Sequence, residues 1–102
     1  MTSALHDLWG GYQESLTFDS TTRVLDLEVS THHAGGPQTW RLRLTGVREF
    51  HVERPDDAWE RTEVTELYVS DQETYRQIEI VYWTEPNDFS ARFKDYELVR
   101  VA

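Results

Sequence analysis

Hydrophobic and polar residues alternate along most of this chain with the period of two that is typical of half-buried β-strands. In the run at residues 23–31, Leu25, Leu27 and Val29 alternate with Asp26 and other polar residues. Strands are predicted on this basis at residues 15–19, 23–31, 39–46, 47–52, 62–70, 75–84, 89–93 and 96–101.

Short polar segments separate these runs. Ser20-Thr21-Thr22 predicts a hairpin turn, and the glycines and proline of residues 32–37 (HHAGGP) predict a loop. Pro55 makes residues 53–60 a loop, because proline lacks the amide N–H that a central strand needs. Seven or eight strands at intervals of about ten residues favour a mainly β fold, an antiparallel meander that forms a sandwich or a partly open barrel. Residues 2–9 are expected to form at most one helical turn.

The run at residues 62–70 leaves its buried face undecided. Leu67 and Val69 share one face of a regular strand, whereas Val64 and Tyr68 share the other. Apolar residues on both faces mean that alternation alone does not say which side packs inward.

Length and composition narrow the class of protein. A chain of 102 residues fits one domain, residues 1–102, and the absence of cysteine excludes disulfides, thiolate zinc sites and cysteine nucleophiles. The N-terminus has neither a basic start nor an apolar run, and no window approaches the length of a membrane span. A cytoplasmic protein is therefore expected.

The charge is negative and unevenly distributed. Of the formal net charge of −9, residues 53–73 carry −6 through eight acidic and two basic side chains. A negative chain is repelled by phosphate backbones and by anionic lipid surfaces, so neither nucleic acid nor a membrane is an expected partner. A charge run of this kind is typical of a solvated face, and it also suits contact with a basic protein.

Two histidine-containing doublets are candidate metal or catalytic sites. His6-Asp7 lacks the further histidine and aspartate cluster that a metal site on helices needs, so a structural role at the start of the β-fold is favoured. His32 and His33 fall in the predicted loop, where a plain loop pair is favoured over a metal site. Neither the acidic loops nor any other segment carries a calcium-loop, catalytic or phosphate-binding motif. We predict no catalytic residue, no cofactor, no metal and no enzymatic activity.

Four short segments carry a resemblance to a known group. They are Leu5-His6-Asp7, Phe18-Asp19, the Leu-x-Leu-x-Val run at 25–29 and the Leu-x-Leu-x-Gly-Val-x-x-Phe run at 42–50. In this order they resemble the YxiG-like and related immunity-protein families of bacterial polymorphic-toxin systems. The resemblance implies a binding protein that blocks or inactivates a cognate toxin, with a structural role for His6 and Asp7.

Trp59 lies within the acidic run, either as an anchor for a basic partner or as a lid over the end of the core. We predict a contact surface for a basic toxin domain made of Glu53, Asp56, Asp57, Trp59, Glu60, Glu63 and Glu66.

The sequence leaves other classes open. One is a small-ligand-binding β-barrel with Trp40, Tyr82 and Trp83 around a cavity, and another is an accessory subunit of a larger assembly. The protein is expected to be a monomer or, through an exposed edge strand, a homodimer.

Overall fold

Eight antiparallel strands form one sheet in the computed structural model, which describes residues 5, 8–33, 36–53, 62–82 and 88–101, with the backbone alone at 33, 53, 62 and 88. The predicted mainly β class with seven or eight strands is confirmed, and no α-helix occurs in these ranges. The predicted turn at residues 2–9 falls largely outside them. The strands are β1 Tyr12–Asp19, β2 Val24–His33, β3 Gly36–Thr45, β4 Glu49–Glu53, β5 Thr62–Asp71, β6 Arg76–Tyr82, β7 Asp88–Phe93 and β8 Asp95–Arg100.

The sheet divides into two layers. Its strand order is β4-β7-β6-β5-β1-β2-β3-β8, so each layer contains one run of consecutive hairpins, β5-β6-β7 or β1-β2-β3. The layers join where β1 pairs with β5 through only two residue pairs, Tyr12 with Glu63 and Gln13 with Thr62. Beyond these pairs β1 and β5 diverge, and the sheet does not close into a barrel.

Two connections cross between the layers at a common corner. The chain passes from β3 to β4, and from β7 to β8, within one to three residues. Backbone hydrogen bonds tie the crossings together, from Lys94 N to the Thr45 carbonyl oxygen at 2.9 Å and from Arg48 N to the Arg92 carbonyl oxygen at 2.8 Å. The short crossings hold the two layers face to face.

The inward faces of both layers form one hydrophobic core. Phe18 of β1 and Phe50 of β4, which belong to different layers, have ring centroids 4.8 Å apart. Each fully buried aliphatic or aromatic side chain stabilises the fold by about 1.5–3 kcal/mol. The core consists of Leu5, Leu8, Leu25, Leu27, Val29, Leu42, Leu44, Val47, Val64, Leu67, Ile78, Ile80, Tyr82, Phe89, Ala91 and Phe93.

A β-bulge decides which face of β5 is buried. The register with β6 shifts between Val64 and Glu66, which leaves Thr65 as the extra residue. The extra residue shifts the alternation of side chains by one position, so Val64 and Leu67 both point into the core although they are three positions apart. Tyr68 is consequently exposed. The alternation leaves the buried face undecided; the face of Leu67 is the buried one, and the bulge places Val64 on it as well.

The segment predicted as a loop at residues 32–37 is largely strand, which corrects that prediction. His32 and His33 end β2 and pair with Pro37 and Gly36 of β3. Pro37 precedes Trp40, where pairing of β3 with β8 begins, so its missing amide removes no bond to β8. Residues 34 and 35 lie outside the described part of the chain.

The N-terminal segment fills the gap where β1 and β5 diverge. Gly10 N donates to the carbonyl oxygen of Val64, and Val64 N donates to that of Gly11, both at 2.7 Å. The indole Nε1 of Trp9 donates to the carbonyl oxygen of Leu67 at 3.2 Å. These bonds satisfy backbone groups of β5 that no neighbouring strand reaches.

Candidate protein-binding surface

The predicted contact residues divide into two groups. Glu53 ends β4, and Glu63 and Glu66 lie on β5. The other four predicted residues, Asp56, Asp57, Trp59 and Glu60, lie outside the described part of the chain.

The strand register places Glu53 and Glu66 in one row across a layer. Glu53 pairs with Asp88, Asp88 with Val81, and Val81 with Glu66. With strands about 4.8 Å apart, the backbones of Glu53 and Glu66 are separated by roughly 14 Å. The chain that connects β4 to β5 therefore leaves this layer and returns to it on the same side.

Four outward residues of β5 and β6 form a compact patch, which we name the β5–β6 face: Glu66, Tyr68, Glu79 and Val81. Glu66 is paired with Val81, and Tyr68 with Glu79. Two carboxylates thus occupy one diagonal of the patch, and two large apolar side chains occupy the other. Tyr68 is 48% exposed and Val81 43% exposed, so the patch offers both charge and apolar surface to solvent.

Two neighbours act on Tyr68, one on its ring and one on its hydroxyl. Its ring packs edge-to-face against Trp9, with centroids 5.7 Å apart. Hydrogen bonding of its hydroxyl to the Glu66 carboxylate, partial desolvation and the negative charge of Glu66 raise the pKa of Tyr68. The contact with Trp9 orients the one aromatic ring of the patch.

Four arginines form ion pairs with carboxylates among the described residues. Arg43 makes two parallel bonds to Asp26, at 2.9 and 3.2 Å, and this interaction raises the pKa of Arg43. Exposed pairs of this type contribute little to stability, because solvent and salt screen the charges. The remaining described pairs are Arg41–Glu28, Arg76–Asp71 and Arg92–Glu49.

Within the described part of the chain, these pairs include Asp71 of β5 but none of the other carboxylates of β5 and β6. Among the described residues, no arginine, lysine or histidine forms an ion pair with Glu63, Glu66 or Glu79. A carboxylate without a local cation is available to a cation on another molecule.

Three members of the β5–β6 face were not predicted as contact residues: Tyr68, Glu79 and Val81. Tyr68 and Val81 each lie out of phase with the buried residues of their own strand, and this is the signal that points to them. Their proximity depends on the β5–β6 register, which the sequence of either strand alone does not contain.

The two histidine-containing doublets were candidate metal or catalytic sites. His6 and Asp7 lie outside the described residues, and His32 is an exposed residue of β2. No group of three or more histidine, aspartate and glutamate side chains within the described ranges is placed to hold a metal ion.

The aromatic residues proposed to line a ligand cavity have packing partners. Tyr82 is only 4% exposed, and its hydroxyl donates to Oε1 of Gln13. The indole Nε1 of Trp40 donates to Oγ1 of Thr31 at 3.1 Å. Trp83 lies outside the described residues. Tyr82 and Trp40 thus pack with polar residues of β1 and β2.

Comparison with protein-family models, with curated proteins and with solved structures finds no match to this chain. Within the described residues there is no helix with the length and apolar character needed to cross a membrane.

Proposed function

We propose that this protein is a non-catalytic binding module that neutralises a cognate bacterial toxin in the cytoplasm by contacting it through the acidic segment at residues 53–66. The observation that carries the proposal is that carboxylates at the described end of this segment lack an ion pair. Among the described residues, Glu63 and Glu66 form no ion pair, whereas four arginines are each paired with another carboxylate: Arg41, Arg43, Arg76 and Arg92.

Electrostatics supports a basic protein as the partner. Toxins that act on nucleic acids have basic substrate grooves, and a surface rich in carboxylates is attracted to such grooves. Attraction of this kind accelerates association and weakens as salt screens the charges. With a net charge of −9, the whole molecule adds to the attraction of the local segment.

The sheet supports a contact surface that needs little rearrangement. β5 is bonded to β6 along its length, and β6 is bonded to β7. Side chains on paired strands keep their spacing, so little conformational entropy of this surface is lost when a partner binds. The resemblance of residues 5–7 and 42–50 to immunity proteins supports the same class of function.

The test begins with capture of the partner. The tagged full chain is used to retain proteins from a lysate of its source cells at low and at high salt, and mass spectrometry identifies them. The retained protein is then produced in a host cell with and without this chain. Growth arrest that is relieved by co-expression supports the proposal.

Two results contradict it. Retention of no protein at either salt excludes a stable protein partner under those conditions and directs attention to small ligands. A retained protein whose expression is harmless to the host excludes toxin neutralisation.

A further inference from the structure

We infer that the partner contact extends from the acidic segment onto the β5–β6 face, and that this face receives an arginine side chain of the partner. The guanidinium lies between the carboxylates of Glu66 and Glu79, and its aliphatic stem packs on Tyr68 and Val81. This inference rests on the proposed function, because it assumes a basic protein as the partner.

The strand register provides the geometry. Glu66 and Glu79 are diagonal neighbours on two paired strands, and such neighbours lie about 7–8 Å apart. A planar guanidinium has five N–H donors arranged in a fork, so one group can donate to two carboxylates at once. A lysine ammonium is a compact point charge and matches this spacing less well.

The apolar diagonal supplies the second requirement. Tyr68 and Val81 are two of five large hydrophobic side chains that are exposed among the described residues. The stem of an arginine is apolar and packs well on such a surface while its charged end reaches the carboxylates. The patch is therefore complementary to both parts of the same side chain.

The outer face of the other layer lacks this combination. Val99 of β8 is 42% exposed, which matches the 43% of Val81. It is paired with Arg41, and Arg41 forms an ion pair with Glu28 at 3.5 Å. The positions of β3 beside Val99 and Glu97 are thus held by two arginines, Arg41 and Arg43, so exposure of a valine alone does not make an arginine site.

The fixed position of Tyr68 favours binding. Its ring packs edge-to-face against Trp9, with centroids 5.7 Å apart. A side chain that is ordered before binding loses little rotamer freedom in the complex, which is a property of residues that dominate interfaces.

The test uses a small probe, so it does not require the toxin. The isotope-labelled full chain is titrated with N-acetyl-arginine amide, and with its neutral citrulline isostere, while NMR records the backbone amide shifts. We expect saturable shifts at Glu66, Tyr68, Glu79 and Val81 with the arginine probe and weaker binding, by about tenfold or more, with citrulline.

Matched variants test both diagonals. The double variant E66Q/E79Q keeps the side-chain shapes and is expected to weaken binding about tenfold, and Tyr68→Ala about fivefold. Val99→Ala is expected to leave binding unchanged.

Shifts of equal size around Val99, or equal binding of the citrulline probe, would overturn the inference. Neither result bears on capture of a basic toxin through residues 53–66. Failure of the proposed function is seen instead in the capture and growth experiments.

Discussion

A Cβ atom at Gly46 would lie only 2.7 Å from the Cβ of Lys94. The two residues belong to the two connections that cross between the layers, and Gly46 also has a φ angle of +64°. Only glycine adopts this backbone conformation at little cost and leaves room for its neighbour. The corner that holds the layers together thus requires a residue without a side chain at position 46.

Replacement of Gly46 by alanine is expected to destabilise the protein by about 3 kcal/mol, from the left-handed backbone and the close contact combined. Gly10→Ala is the matched control, because Gly10 has a φ angle of +82° but no atom near the added Cβ. Gly10→Ala is expected to lower the free energy of unfolding by only about 1–2 kcal/mol. Urea unfolding measures both losses, and equal losses would show that the contact with Lys94 contributes nothing.

The buried hydrogen bond between Tyr82 and Gln13 gives a second prediction. Gln13 is fully buried, and its Oε1 accepts from the Tyr82 hydroxyl, while its Nε2 has no partner among the described residues. Tyr82→Phe removes the donor and leaves Oε1 without it, which is expected to cost about 1–3 kcal/mol.

The double variant Gln13→Leu/Tyr82→Phe tests the origin of that loss. It replaces both polar partners with apolar groups, so it is expected to be more stable to urea than the sum of the two single losses implies. Strict additivity in this double-mutant cycle would mean that Gln13 and Tyr82 do not act as a pair.

The hydroxyl of Tyr68 provides a prediction about pH. Glu66 favours the neutral phenol, so the pKa of Tyr68 in the folded protein lies above its ordinary value of 10.0. The contribution of this interaction to the free energy of unfolding is fully present below pH 10.0. It is lost as pH rises through the pKa of Tyr68 in the folded protein.

Ultraviolet titration of tyrosinate, with Tyr68→Phe as the reference, measures this pKa. Glu66→Gln is expected to move it down towards 10.0, and Glu79→Gln, which changes the cross-strand neighbour, is expected to move it less. An unchanged pKa in Glu66→Gln would contradict the assignment of Glu66 as the hydrogen-bond partner.

The alternation of residues predicted most of the fold. Leu25, Leu27 and Val29 are buried as expected, because a strand with one apolar face has a single favourable way to pack. The predicted β-rich class and the approximate strand positions follow from this pattern in each run.

Features that depend on two segments could not be predicted from one run. The bulge at Thr65 is defined by the register with β6, and it alone brings Val64 and Leu67 to the same face. Similarly, Glu66 and Glu79 become neighbours only through strand pairing. Of the predicted contact surface, Glu63 and Glu66 lie in the strand predicted at residues 62–70, whereas Glu53, predicted in the loop at 53–60, ends β4.

The central claim is that the acidic segment contacts a basic partner, and charge reversal tests it most directly. The affinity of the captured toxin is measured for the wild-type chain, for Asp57→Lys/Glu60→Lys and for Asp95→Lys/Glu97→Lys. The last variant makes the same charge change at exposed residues of β8, in the other layer.

Reversal at Asp57 and Glu60 is expected to weaken binding by about a hundredfold at low salt, with an unchanged unfolding midpoint. Reversal on β8 is expected to weaken it by no more than about threefold, through net charge alone. Unchanged affinity in Asp57→Lys/Glu60→Lys, or equal losses in the two variants, would contradict the claim that residues 53–66 form the contact.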